Sequence, residues 1–351
     1  SLILILIPSM LQIKKHGVIL SPTDCPFEKQ AVLNPAVYQD GRNIHVIYRA
    51  IGENGVSSLG YALLDGPTQV KERWDRPFML PEKKEESCGI EDPRIVKIED
   101  YFYMTYVVHD GKNAVSAFSY GTDILNLKRG GIISPKIKYK EATKIFPYSK
   151  LKDEYYFYQA FYQNFSEKDI YIWHKDVILF PEKVNSSFYA LQRILPDVQV
   201  FSFGDFSQLK DKYYWIHNLM NLSSSVILEC QHGFESRHMG GGCPPLRTDK
   251  GWLLIYHSAE ENNKRRIYHA GAALLDLDDP LKVIARLPHP LFSPTESFEL
   301  SGFVNNVVFP TGIAQFDNDL YIYYGSADTH IAVASLNIND LIEELLKNKV
   351  N

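Results

Sequence analysis

The densest chemistry in this sequence is Gly-Ile-Glu-Asp-Pro-Arg at residues 89–94. Two adjacent carboxylates suit proton transfer: a charge on Glu91 raises the proton affinity of Asp92, and Arg94 opposes it. Residue types alone leave that contest undecided. Pro93 pushes the residue before it toward an extended backbone and interrupts a ladder, which predicts Asp92 at the entry to a strand, at one end of a sheet. An aspartate that merely caps a turn is the plain structural alternative.

The stretch that follows, residues 95–106, alternates apolar and polar positions and breaks at Glu99-Asp100, so it predicts a hairpin. The same plan recurs from Asn34-Pro35, Phe180-Pro181, Cys243-Pro244 and Phe309-Pro310: a residue before proline, a strand, a polar turn, and a second strand closing on an aromatic and a polar residue. Five such hairpins, most followed by a third strand, predict an all-β chain forming one five-bladed β-propeller domain over residues 1–351. A β-sandwich leaves the recurring punctuation unexplained. In a radial arrangement Asn34, Arg49, Asp92, Arg193, His257 and Asp328 converge, a mixture of amide, guanidinium, imidazole and carboxylate suited to a neutral ligand rich in hydroxyls. Two segments depart from the repeat. Residues 136–173, with a tyrosine-rich run at 155–162, form an insertion between blades, and residues 339–348 form a short amphipathic C-terminal helix with an asparagine cap.

Composition narrows the partners. A net charge of -5 with no long basic run gives no footprint for nucleic acid or an anionic membrane, and an aromatic content of 13%, with 22 tyrosines, fits a sugar ligand. The four cysteines, Cys25, Cys88, Cys230 and Cys243, lie far apart and predict free, buried thiols rather than zinc or disulfides. No His and carboxylate grouping has metal-ligand spacing, so neither metal nor cofactor is expected. Gly-Gly-Gly-Cys-Pro-Pro at 240–245 lacks the lysine and following helix of a nucleotide loop. The apolar residues 1–8 are too short to cross a bilayer and lack the basic leader of an export signal. They predict a strand over a core or a subunit contact in a cytoplasmic protein, or a periplasmic one if a signal was removed. A homo-oligomer stays open.

Gly-Ile-Glu-Asp-Pro-Arg at 89–94, Leu-Phe-Pro-Glu-Lys at 179–183, Gly-Gly-Gly-Cys-Pro-Pro at 240–245, Gly-Trp-Leu-Leu-Ile-Tyr-His at 251–257, Ala-Ala-Leu-Leu-Asp at 272–276 and Tyr-Gly-Ser-Ala-Asp at 324–328 resemble glycoside hydrolase family 130, in the family's order. The resemblance implies a five-bladed propeller acting on β-mannosides with inversion, as a phosphorylase or a hydrolase. It implies that Asp92 is the general acid, working through a hydroxyl of the bound mannose, and that Asn34, Arg49 and Asp328 hold the mannosyl unit. Arg193, His257 and Tyr268 match phosphate-binding positions. Where the family has Arg-Asn before Leu-Phe-Pro this chain has Lys175-Asp176, and where it has Lys before the glycine loop this chain has His238. Losing a fork-shaped guanidinium and gaining a carboxylate weaken binding of a phosphate dianion. Arg237 is next to His238, and strand alternation predicts that it points away. These substitutions favour an inverting β-mannosidase, active on β-linked manno-oligosaccharides such as β-1,2-mannosides, with Asp176 or Glu235 as the base. Both carboxylates have an alternative as structural partners of Arg193 or Arg237. A β-mannoside phosphorylase using inorganic phosphate as co-substrate is the second expectation, and a non-catalytic glycan-binding propeller the third.

Overall fold

The computed structural model describes residues 11–166, 170–262 and 265–350. The strand expected at residues 1–8 lies outside the described residues. Among the described residues the chain is built mostly of strands: β1 (Lys14–Leu20), β2 (Ala31–Asp40), β3 (Asn43–Ile51), β4 (Ser57–Asp65), β5 (Gln69–Arg73), β6 (Gly89–Ile98), β7 (Tyr101–His109), β8 (Ala114–Gly121), β9 (Lys128–Ile132), β10 (Lys175–Leu179), β11 (Phe188–Ile194), β12 (Asp197–Phe203), β13 (Val226–Leu228), β14 (His238–Gly241), β15 (Leu246–Thr248), β16 (Gly251–Asn262), β17 (Arg265–Leu275), β18 (Val283–Arg286), β19 (Val308–Phe316), β20 (Asp319–Ser326) and β21 (His330–Asn337).

These strands fall into five antiparallel units. The first, β2 to β5, and the second, β6 to β9, touch edge to edge through one parallel pair, Ser57 with Gly89. The third is β10 to β13, and the fourth is β14 to β18, with β14 and β15 both pairing with β16 as two pieces of one interrupted strand. The fifth is β19 to β21 with β1 laid along the outer side of β21. First strands neighbour one another in sequence, β2 against β6, β6 against β10 and β10 against β14, while β19 packs on both β17 and β2.

The alternation at 95–106 forms its hairpin, with Glu99 in the turn at a φ of 56°. The extended backbone expected before proline does not form at Asn34 or Asp92. Asn34, Asp92 and Asp176 have φ of 48°, 49° and 53°, each at a register shift in a first strand: Leu33/Ala36, Glu91/Arg94 and Lys175/Ile178. Short polar side chains tolerate the left-handed region, and a bulge inserts one such residue and re-aims its side chain. Asp92 therefore sits inside β6 and not at its entry. The third unit is punctuated at Asp176, with Phe180-Pro181 falling just past the end of β10.

A second recurrence stiffens the units. Glu28, Glu86, Glu235 and Glu299, all buried, sit on single helical turns just ahead of a first strand. Tyr48, Tyr256 and Tyr324, in second strands, donate their hydroxyls to Glu28, Glu235 and Glu299 at 2.7, 2.8 and 2.7 Å. A cation from the outermost strand completes each set: Arg73, Arg129, Arg286 and Lys15 at 2.9, 2.6, 2.5 and 2.5 Å. A buried carboxylate is tolerable because both oxygens of each have hydrogen-bond or ion-pair partners. The third unit differs, since Gln192 stands where the others have tyrosine and contacts His174 at 2.8 Å and Asn218 at 3.2 Å.

Helices α1 (Tyr139–Ile145) and α2 (Asp153–Ser166) lie between β9 and β10, and α3 (Lys212–Met220) lies between β12 and β13. None of the three was expected, because runs of tyrosine and phenylalanine read as strand formers. After the one-turn α4 (Ser297–Leu300), the expected C-terminal helix forms as α5 (Ile338–Lys347), capped by an asparagine two residues earlier than the Asn339 with which the sequence began it: Asn337 accepts from the amides of Asn339 and Asp340. Its Ile338, Leu341, Ile342 and Leu345 join the core shared by the fourth and fifth units. Of the thiols only Cys243 is buried; Cys88 and Cys230 are exposed.

Candidate active site

All five units contribute to one pocket of about 270 Å³: Asn34 and Arg49, Asp92, Lys175 and Arg193, Arg237 with His238, Arg266 and Tyr268, and Phe309 with Asp328. The bulges explain the convergence, since Asn34 and Asp92 project from the same point of neighbouring first strands. Arg94 fixes that point. It is 2% exposed, and donates from Nε to the Gly242 carbonyl at 2.5 Å and from Nη1 to the carbonyls of Asp92 and Pro93 at 3.1 Å each.

The carboxylates are held by donors on one side. Asp92 Oδ1 accepts from Asn34 Nδ2 at 2.8 Å and from Arg49 Nη1 at 3.4 Å, while Oδ2 has no protein hydrogen bond among the described residues. Glu91 is bound by Arg49 Nη2 at 2.9 Å and Lys175 Nζ at 3.3 Å. Burial pushes the Asp92 carboxyl up, but Arg49, Lys175, the Asn34 amide and Arg94 outweigh it and bring it down to about 2. The contest left open by the sequence is thus won by the cations, and Glu91 is lowered in the same way. Asp328, in the turn after β20 with a φ of 50°, goes the other way: burial carries it up to about 6.

Much of the rest of the lining is cationic. Lys175, Arg193, Arg237 and Arg266 face the pocket with His238 and Tyr268. Arg237 turns inward, contrary to the alternation argument, because β14 begins only at His238 and Arg237 lies outside its register. Arg193 is oriented from behind: Asp176 Oδ2 lies 3.2 Å from Nε, and Nη1 donates to His257 Nε2 at 3.1 Å. His257 Nδ1 donates to the Gly241 carbonyl at 3.1 Å, the neutral tautomer that this pairing requires. Burial and then the Arg193 charge hold both His257 and His238 well below the usual histidine range.

Five of the six residues expected to converge line the pocket, and His257 lies directly behind Arg193. The two carboxylates considered as bases are committed elsewhere. Asp176 is 5% exposed against Arg193, the pairing foreseen as its alternative. Glu235 is fully buried in the Tyr256 and Arg286 set of the fourth unit, apart from the pocket, and its carboxylate also takes the amides of Gln231 and His232. Sequence reasoning missed Arg266, which shares a strand face with Tyr268 two residues on and was legible from that spacing. From the inserted segment, which follows no repeat, Tyr158, Tyr162 and Trp173 also enter the lining. Among the described residues no group of three or more His, Cys, Asp or Glu side chains is gathered as a metal site requires.

A family model described as β-1,4-mannooligosaccharide phosphorylase matches residues 12–347. A 1,2-β-oligomannan phosphorylase of Thermoanaerobacter sp. (strain X514) is 34% identical over 337 residues, 92% of this chain and 96% of that one. A β-1,2-mannobiose phosphorylase of the same organism is 33% identical over 330 residues, covering 90% and 93%. The solved β-1,2-mannobiose phosphorylase from Listeria innocua, in complex with β-1,2-mannobiose, has a similar fold, with a TM-score of 0.69 at 22% identity over 95% of this chain and 99% of that one.

Proposed function

We propose, since this chain belongs to glycoside hydrolase family 130, that it is a phosphorylase of β-1,2-linked manno-oligosaccharides, moving a mannosyl unit onto inorganic phosphate with inversion. The observation that carries this reading is the balance of the pocket lining: besides Arg49 it holds four cations, Lys175, Arg193, Arg237 and Arg266, against two carboxylates, Asp92 and Asp328, and Asp176 is paired behind Arg193. An inverting hydrolase needs a free carboxylate to activate water about 6.5–9.5 Å from the acid. Asp176 and Glu235 are both spoken for, so hydrolysis is the weaker reading. The names of the two Thermoanaerobacter relatives support both phosphorolysis and the β-1,2 linkage.

In this reading Asn34, Arg49 and Asp328 bind hydroxyls of the mannosyl unit, and Asp92 supplies the proton that the leaving oxygen takes up through a sugar hydroxyl. The bond from the anomeric carbon to the leaving oxygen breaks as a phosphate oxygen bonds to the opposite face of that carbon, giving mannose 1-phosphate. In the empty pocket Asp92 is a carboxylate. A phosphate dianion seated among the cations cancels much of the field that holds it down, and a sugar above it displaces water. Both raise its proton affinity. The catalytic group thus becomes an acid when both substrates are in place.

The finer architecture belongs to the same proposal: a single five-bladed β-propeller whose axis passes through the pocket. It is supported by the packing of each unit on the next, with the fifth returning to the first through β19 and β2, and by a second, apolar cavity of about 230 Å³ to which all five units again contribute, through Val37, Ile95, Pro181, Pro244 and Ile313.

The test is product identity. With β-1,2-mannobiose, mannose 1-phosphate should appear only when inorganic phosphate is supplied. Free mannose released at a rate indifferent to phosphate would overturn phosphorolysis in favour of the hydrolase.

A further inference from the structure

We infer that the inserted helix α2 completes the anion side of the pocket, with the Tyr162 hydroxyl as a direct donor to the attacking phosphate. The inference rests on the phosphorylase reading and assigns one more residue to its nucleophile.

Helix α2 stands outside the five-unit repeat, yet three of its four tyrosines share one face. Tyr155, Tyr158 and Tyr162 are three and four residues apart, the spacing that stacks side chains along a helix. The other face carries Phe157 and Phe161, 70% and 54% exposed. This reverses the usual order, in which rings without a hydroxyl are the buried ones. Two of the three hydroxyls are engaged: that of Tyr155 meets Gln199 Nε2 at 2.8 Å, and that of Tyr158 donates to the Arg237 carbonyl at 2.8 Å. The Tyr162 hydroxyl has no hydrogen-bond partner among the described residues, although its ring packs against Tyr139, stacked at 5.9 Å, and Trp173, tilted at 4.4 Å. A ring packed against two neighbours, with an idle hydroxyl at a pocket wall, is preorganised for a ligand.

The ligand class follows from the surroundings. Arg193, Lys175 and Arg237, from three separate elements, are the charges that act on Tyr162, and all line the same pocket. Each already spends contacts on the protein: Arg193 on Asp176 and His257, Lys175 on Glu91, and Arg237 on Glu261. A tetrahedral dianion with several acceptor oxygens needs further donors, and a neutral hydroxyl supplies one without competing for those carboxylates. Burial keeps the phenol protonated despite the cations around it, so it remains a donor.

The experiment uses full-length protein and the variant Tyr162→Phe, which keeps the packed ring and removes only the hydroxyl. Initial rates with β-1,2-mannobiose are measured across inorganic phosphate, then with mannobiose varied at saturating phosphate. The expected result is a KM for phosphate raised about tenfold, the loss typical of a hydrogen bond to a charged group, with the KM for mannobiose and the melting temperature unchanged. An unchanged phosphate KM in a variant that still requires phosphate overturns the role of Tyr162 and leaves the phosphorylase reading intact. A raised mannobiose KM with an unchanged phosphate KM also overturns it, placing the residue against the sugar. Wild-type turnover that ignores phosphate would remove both proposals together.

Discussion

Replacing Asp328 with asparagine should make the protein more stable and a poorer enzyme, with a gain that depends on pH. Burial, restrained by Arg49 and reinforced by Asp92 and Glu91, carries this carboxyl up to about 6, whereas an aspartate in an unfolded chain titrates near 3.9, about. The folded state therefore binds a proton at Asp328 more tightly than the unfolded state. The unfolded chain holds fewer protons between pH ~4 and ~6, so stability declines as pH climbs through that window and the decline is complete above it. Two units at about 1.4 kcal/mol each give a loss of about 3 kcal/mol. Asparagine matches the shape, carries no charge and escapes the loss, while Arg49 keeps Glu91 and Asp92 as partners. Urea unfolding at pH 8 should show Asp328→Asn more stable than the parent by about 2–3 kcal/mol, and at pH 4 the two curves should nearly coincide. A gain of equal size at both pH values, or a less stable variant at pH 8, would refute the reasoning. The cost should appear as a higher KM for the mannoside, since a neutral amide accepts sugar hydroxyls less strongly than a carboxylate.

Two further outcomes separate the chemical groups from the structural ones. Asp92→Asn should lower kcat by about 10² to 10⁴-fold while mannobiose still binds, as calorimetry would register, because the amide keeps the Asn34 and Arg49 geometry but gives up no proton; near-normal turnover would remove Asp92 from the reaction. Glu235→Gln should lower stability by about 3–5 kcal/mol, because Arg286 is left buried without its counter-charge, yet the folded fraction should keep its kcat, and a selective collapse of kcat at normal stability would return Glu235 to the list of bases.

Much of the site was legible because the repeat carries it. Asn34, Asp92 and Asp328 lie at recurring positions in the chain, and Arg49, Arg193 and His257 occupy the same point of a second strand, just after Tyr48, Gln192 and Tyr256, so recognising the hairpin was enough to gather them, although β16 runs on past His257 to Asn262. Backbone conformation was less legible. The bias imposed by Pro35 and Pro93 was read as extended, but a bulge overrode it, and only the tolerance of Asn and Asp for positive φ hinted at that outcome. Glu235 looked like a spare carboxylate because its partners, Tyr256 on β16 and Arg286 on β18, are separated from it in sequence and meet it only in the folded sheet. The inserted helices were illegible for a different reason. Four consecutive aromatics at 155–158 favour strands by local propensity, and α2 is helical because its tyrosines found partners on the neighbouring units.

The pairing of β1 with β21 sets an order of events during synthesis. Four units are made of strands that leave the ribosome one after another, so each can pair as soon as its own segment is out. The fifth cannot. Lys14 pairs with Ser335, so β1 emerges ahead of the strands of the other four units and waits, with an unpaired edge, until β21 has followed them. Joining segments this far apart is a slow step that local contacts do not assist. The nascent chain therefore passes through a long interval in which four units exist and the seam is open. In that interval a free β1 can be captured by the exposed β21 of a second molecule as readily as by its own.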